Sequence, residues 1–134
     1  MPNYRRAIVA GGTFFFTVNT FRRLGVLTEA PVRTALREAV RHTREQHPFD
    51  INAWVLLPNH LHCILTLPAG DSDFSIRWSK IKRYVSRECG ASLGVKELSD
   101  SRNNRHEPGL WQRRFWEHQI RDDADFARHA DYIH

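Results

Sequence analysis

The stretch "LLPNHLHCILTLP", residues 56–68, places His60 and His62 two positions apart in an otherwise apolar run. Alternate side chains of an extended chain emerge on one face, so the two imidazoles can offer ring nitrogens to a single divalent ion. A His-x-His pair is half of a metal site, and it is equally compatible with ordinary hydrogen-bonded histidines of a packed strand. Two imidazoles in an apolar strand cost stability unless a partner satisfies them, which favours ligation. An ion held there would bind the non-bridging oxygens of a phosphodiester and polarise phosphorus toward a nucleophile. Cys63 emerges on the opposite face and reads as a small core residue sooner than as that nucleophile. Tyr132 is the other candidate. Phe126, Ala130 and Ile133 mark the packed side of a C-terminal helix, and Tyr132 lies roughly 120° from the centre of that stripe, with Asp125 and His129 along its own edge. A boundary tyrosine of this kind is either structural or a helix-mounted nucleophile. The sequence has no Gly-rich phosphate loop, acidic metal cluster or nucleophile elbow.

The elements that must position these residues follow from apolar periodicity. "TFFFTVNT" (13–20), after a glycine pair, is aromatic and β-branched and predicts a first strand. Val32, Ala35, Leu36, Ala39 and Val40 predict a helix over 28–46, with Thr28 as its cap and Pro31 in its first turn. "FDINAWVLLP" (49–58) and "HLHCILTLP" (60–68) predict a hairpin turning at Pro58 and Asn59. Leu61, Cys63, Leu65 and Leu67 then share one face, and His60, His62, Ile64 and Thr66 the other. Phe74, Trp78, Ile81 and Val85 predict a second helix ending at Cys89, followed by an exposed connection over 90–110. "WQRRFWEHQI" (111–120) reads as a strand in which Trp116 breaks strict alternation, and Asp122 with Asp125 opens the last helix. The order strand, helix, strand, strand, helix, strand, helix predicts an α+β, ferredoxin-like split βαβ arrangement: an antiparallel sheet with helices on one face.

The 134 residues suit a single domain, 1–134, and the last helix runs to His134 without a C-cap signal, so we expect a chain cut short of the natural C-terminus. Two cysteines, one in the hairpin and one at a helix end, argue against a disulfide framework and for a reducing compartment. No apolar run reaches the ~20 residues of a membrane helix, and no signal peptide is evident. The formal net charge of +5 makes a polyanion a sensible partner. Arg33, Arg37, Arg41 and Arg44 decorate the first helix, and Arg77, Lys80, Arg83 and Arg87 the second; each set is either a solvated face or a phosphate-contact surface. Trp78 and Trp111 are core residues or stacking platforms.

The segments "YRRAIVAGGTFFFTVNT", "PNHLHCILTLP", "DFSIRWSKIKRYVSR" and "WQRRFWEHQIRDDADFARHADYIH" resemble the REP-associated tyrosine transposases, relatives of the single-tyrosine HUH transposases. The similarity spans nearly the whole chain, with several motifs recurring in order. It implies an HUH pair at His60 and His62 binding Mg²⁺ or Mn²⁺, and a nucleophile that the "DYIH" match places at Tyr132. The implied activity is that of a single-stranded DNA endonuclease and strand transferase, acting at hairpins of repetitive extragenic palindromes through a covalent 5′-phosphotyrosine. A hairpin-binding module without catalysis is the rival reading, and a water-using metal phosphodiesterase ranks behind both. The family's further polar metal ligand falls beyond His134; water, His129 or His134 are the substitutes within the chain. Glu117 and His118 match a motif expected to support the site. Tyr4, Arg5, Arg6, Arg77, Lys82, Arg83, Arg113 and Arg114 are the expected DNA contacts. The resemblance also implies a cytoplasmic, nucleoid-associated bacterial protein, with the oligomeric state open.

Overall fold

The computed structural model describes residues 12–89, 110–112 and 114–133. Four antiparallel strands, β1 (Thr13–Asn19), β2 (Asp50–Leu57), β3 (His60–Thr66) and β4 (Trp116–Ile120), form one sheet in the order β2-β3-β1-β4. Helices α1 (Ala30–Gln46) and α2 (Phe74–Cys89) connect them, and α3 (Asp123–Ile133) follows β4. The expected α+β class and ferredoxin-like strand order are both present. β1 and β3 are interior strands, bonded on both sides, which is why they are the apolar ones.

Phe14, Phe16 and Val18 of β1 and Leu61, Cys63 and Leu65 of β3 point to one face, where they pack with Val32, Leu36 and Ala39 of α1 and Phe74, Trp78, Ile81 and Val85 of α2. Phe15 and Ile64 point to the other face and pack against Ile133, with Phe126 and Ala130 alongside. The one-face arrangement therefore holds for α1 and α2, while α3 covers the opposite side. The reason is in the triple Phe of β1: with apolar side chains on both faces, the strand must be covered twice.

The helix starts differ in chemistry. Asp73 Oδ1 accepts from the Ile76 amide at 3.0 Å and Asp122 Oδ1 from the Asp125 amide at 2.8 Å, so α2 and α3 are capped in the usual way. Thr28 does not cap α1. The helix begins at Ala30 with Glu29 in the cap position and no side-chain cap bond, and Pro31 supplies the preset φ. The expected strand over 111–120 is also shorter. Trp111 makes an isolated bridge to Thr20 and is buried in the main core with Leu110 and Phe115, whereas Trp116 opens β4 on the other face.

The Pro58–Asn59 turn is held from outside the hairpin. Thr20 donates its amide to Asn59 O at 3.0 Å, and Leu27 donates to Pro58 O at 2.9 Å. These bonds fix the start of β3, where His60 stands.

Candidate active site

Strand register builds the site. Thr17 of β1 pairs with His62 on one side and with Trp116 on the other, and His62 pairs onward with Val55, so Trp116, Thr17, His62 and Val55 form one row across the sheet. The next row is His118, Phe15, Ile64 and Ala53. Asn19 pairs with His60 at the end of the sheet. All these odd-numbered β1 residues share the face that α3 covers.

His60 and His62 are brought together as alternation requires, with ring centroids 4.8 Å apart. Each imidazole has a partner on the same ring atom. Asn59 Oδ1 lies 2.6 Å from His60 Nδ1, and the Thr17 hydroxyl lies 2.9 Å from His62 Nδ1. Asn59 Oδ1 can only accept, so His60 Nδ1 donates and its Nε2 carries a lone pair; where the Thr17 hydroxyl accepts from His62 Nδ1–H, His62 Nε2 carries one too. That is the tautomer and second-layer support a metal-binding histidine pair needs, so the residues present fit a divalent ion. Burial lowers the pKa of His62, and the neighbouring His60 lowers it further, which favours the neutral ring.

Tyr132 lies on the same face. Its ring centroid is 5.1 Å from that of His62 and 6.0 Å from that of Phe15, yet the residue is 67% exposed. The tyrosine is thus anchored by ring edges while its outer side meets solvent. Cys63 points the opposite way into the main core, and burial pushes its thiol well above the ordinary range. It is a packing residue, as its strand face implied.

Three residues hold α3 in place. His118 Nε2 donates to Asp125 Oδ2 at 3.0 Å, and His129 Nδ1 donates to the Asp125 carbonyl at 2.9 Å. The His118 and His129 rings stack at 4.6 Å and 20°, and His129 rests on Phe15 at 4.8 Å. The potential ligand atoms of His118, Asp125 and His129 lie within 4.8 Å of one another, a spacing an ion could bridge. Both nitrogens, however, already donate protons, and the carboxylate also accepts from the Arg121 amide at 3.0 Å and Arg128 at 3.1 Å. The cluster is a hydrogen-bonded brace between β4 and the tyrosine helix. Burial works to raise the Asp125 pKa, but the Arg121 amide and His118 outweigh it and hold the carboxyl at about 2.

His118, expected as a support of the site, bonds Asp125 at the start of the tyrosine helix. Asp125 and Thr17 join it, and neither stands in a motif that marks it for such a role. For Thr17 the signal lies in strand pairing with His62, 45 residues away, which local spacing does not reveal, whereas Asp125 meets His118 only seven residues away where α3 turns back on β4.

Two expected DNA contacts are corrected. Arg77 is 1% exposed, and all its donors are engaged: two bonds to the Asp71 carboxylate, and one each to the carbonyls of His47, Pro48 and Asp73. That bidentate bond, with the Asp73 amide, holds Asp71 at about 2. Arg77 ties the β2 entry to the α2 start and has no donor left for phosphate. Lys82 is likewise buried, its ammonium donating to Gln112 O at 2.9 Å above the Phe115 ring. Arg83 and Arg114 are exposed. Arg83 sits in a basic groove with Lys80, Arg87 and His42, on the α1/α2 side of the sheet, away from the histidine pair. Trp78 and Trp111 are core residues. Tyr4, Arg5, Arg6, Arg113 and His134 lie outside the described residues, as does nearly all of the 90–110 connection. Among the described residues, no helix is long and apolar enough to cross a membrane.

The sheet thus brings a His-x-His strand and a helix-borne tyrosine together on one face. The family model described as "Transposase IS200 like" matches residues 13–134, and the chain belongs to that family. It is 43% identical to the REP-associated tyrosine transposase of Escherichia coli (strain K12), over 100% of this chain and 71% of that relative. A solved structure of a REP-associated tyrosine transposase bound to a REP hairpin superposes with a TM-score of 0.77 at 45% identity, covering 99% of this chain and 70% of that one. A crystal structure from Deinococcus radiodurans, 16% identical, with a TM-score of 0.59 and covering 100% of this chain and 98% of that one, shares the fold.

Proposed function

We propose that the chain nicks and rejoins single-stranded DNA at repetitive extragenic palindromic hairpins, with Tyr132 as nucleophile and His60 and His62 as ligands of Mg²⁺ or Mn²⁺. The observation that carries this reading is the exposed Tyr132 ring standing 5.1 Å from His62 on the face that also presents His60. The similarity to a hairpin-bound transposase supports the substrate class.

Tyr132 Oη forms the bond to phosphorus and the bond to the 3′-oxygen breaks. The phenolic proton passes to solvent and the leaving oxygen takes one up, giving a 5′-phosphotyrosine and a free 3′-hydroxyl. Rejoining reverses both steps, so the phosphodiester energy is retained and no nucleotide cofactor is consumed. The divalent ion, when bound, supplies Lewis-acid charge at the phosphate oxygens. Thr17 and Asn59 orient the two imidazoles, the brace through Asp125 fixes the helix, and Phe15 sets the lateral position of the phenol. Arg83 and Arg114 are proposed backbone contacts, with Tyr4, Arg5, Arg6 and Arg113 as further ones. The chain acts as one domain on nucleoid DNA in the cytoplasm.

The test uses one hairpin oligonucleotide labelled at either end, incubated with the protein and Mn²⁺. A covalent adduct carrying the 3′ label and abolished by Tyr132→Phe is expected. Hairpin binding without an adduct under any metal condition would leave a binding module, and cleavage surviving Tyr132→Phe would assign the nucleophile to water.

A further inference from the structure

From Tyr132 the sheet carries a groove that extends to Trp116, a residue with no part in the tyrosine chemistry described above. Phe15 and Thr17 form its floor, Trp116 and Tyr132 its sides, and Arg128 and His129 complete the lining. Trp116 is 54% exposed in a strand whose other residues are half-buried. Its ring and that of Tyr132 both stand edge-on to Phe15, at 5.8 Å and 73° and at 6.0 Å and 68°. His118 stacks on the indole at 6.0 Å and 5°, which holds the ring upright. An indole fixed in this way, and left half in water, presents a rigid flat apolar surface to a groove that opens on the catalytic tyrosine.

Register sets the scale. Trp116, Thr17 and His62 lie in one row, so Trp116 stands two strand spacings, about 10 Å, from the histidine. Thr17 between them is short and leaves the row open. A nucleotide with its phosphate at His62 and Tyr132 has its base within reach of the Trp116 side of this row. Arg128, with a side chain 65% exposed, brings a cation to the same groove.

We propose that this groove is a nucleobase subsite, in which Trp116 stacks on an unpaired base flanking the scissile phosphate while Arg128 meets the adjoining backbone. The inference rests on the single-stranded DNA reading above and names how that strand is held. Base–aromatic stacking is tolerant of base identity, so the subsite selects unpaired over paired DNA without selecting sequence. A base within a duplex stack does not reach Trp116.

The experiment compares binding of a short oligo(dT) with binding of an abasic oligonucleotide of equal length, in EDTA so that no cleavage occurs. The phosphate charge is the same in both probes, so the difference reads stacking alone. Wild type is expected to prefer oligo(dT), and Trp116→Ala to weaken oligo(dT) binding about tenfold while leaving the abasic probe unchanged. Trp116→Phe, which keeps a π-face, is expected to retain the preference. Trp116→Gln serves as a second non-aromatic variant. The subsite is overturned if either non-aromatic variant keeps the wild-type preference, or if both weaken the two probes equally. Binding and adduct formation are read separately. An adduct without a Trp116 effect removes only the subsite, whereas a Trp116-dependent preference without an adduct removes only the catalytic reading.

Discussion

His118 on the edge strand β4 donates to Asp125 in the first turn of α3 across 3.0 Å, and Asp125 is itself 1% exposed. This bond fastens the tyrosine helix to the sheet seven residues before Tyr132.

A pH dependence follows from that bond. The Asp125 carboxyl, held at about 2, sits below its unfolded value near 3.8. A depressed carboxylate stabilises the fold above the unfolded pKa, and the contribution is lost as pH falls from about 4 toward 2. The loss is up to roughly 2.5 kcal/mol at about 1.4 kcal/mol per unit. Denaturation measured at pH 7 and pH 2.5 should show Asp125→Asn lowering stability at pH 7 and narrowing the gap between the two. Asp71, also at about 2, titrates in the same window, so part of the wild-type slope survives in that variant.

Thr17→Val removes the hydroxyl that orients His62 while keeping the side-chain shape. Loss of such an outer partner costs about 10- to 100-fold in metal affinity. Titration of adduct formation with Mn²⁺ should show the midpoint rising by that factor, with Thr17→Ser close to wild type. An unchanged midpoint in Thr17→Val would remove Thr17 from the metal site.

Tyr132→Phe should abolish the adduct without altering stability, because the residue is exposed and its ring contacts survive. The change in unfolding free energy is expected within about 0.5 kcal/mol. A large loss would show the hydroxyl to be structural.

Arg77 and Arg83 differ although both are α2 cations. Arg77→Ala strips partners from three carbonyls and the Asp71 carboxylate, and is expected to cost about 3 kcal/mol in denaturant titration. Arg83→Ala should leave stability unchanged and, if it meets phosphate, reduce the salt slope of DNA binding by about one. A stable Arg77→Ala variant with weakened DNA binding would reverse the assignment.

Much of the fold was legible because it rests on short-range rules. The His-x-His face of β3, the Pro58–Asn59 hairpin, the apolar stripes of α1 and α2 and the Asp122 cap each depend on side chains within a few positions. Tyr132 was legible as a groove residue because its angle from the Phe126, Ala130 and Ile133 stripe is a property of the helix alone. Thr28 misled because side-chain type shows only that a residue can cap, while Pro31 and the loop geometry set where α1 begins.

What the sequence determined by itself is which residues share a face within one element. What only the tertiary structure decided is which faces meet. The placing of α3 opposite α1 and α2, the Thr17 to His62 bond and the burial of Arg77 all join segments remote in the chain, and the brace through Asp125 depends on how α3 folds back on β4. A lysine or arginine on a helix looks alike in sequence whether it meets water or a backbone carbonyl of another element, because its fate is set by what folds over it. The histidine pair was thus readable from alternation alone, whereas its approach to Tyr132 depends on covering both sides of the Phe15 strand.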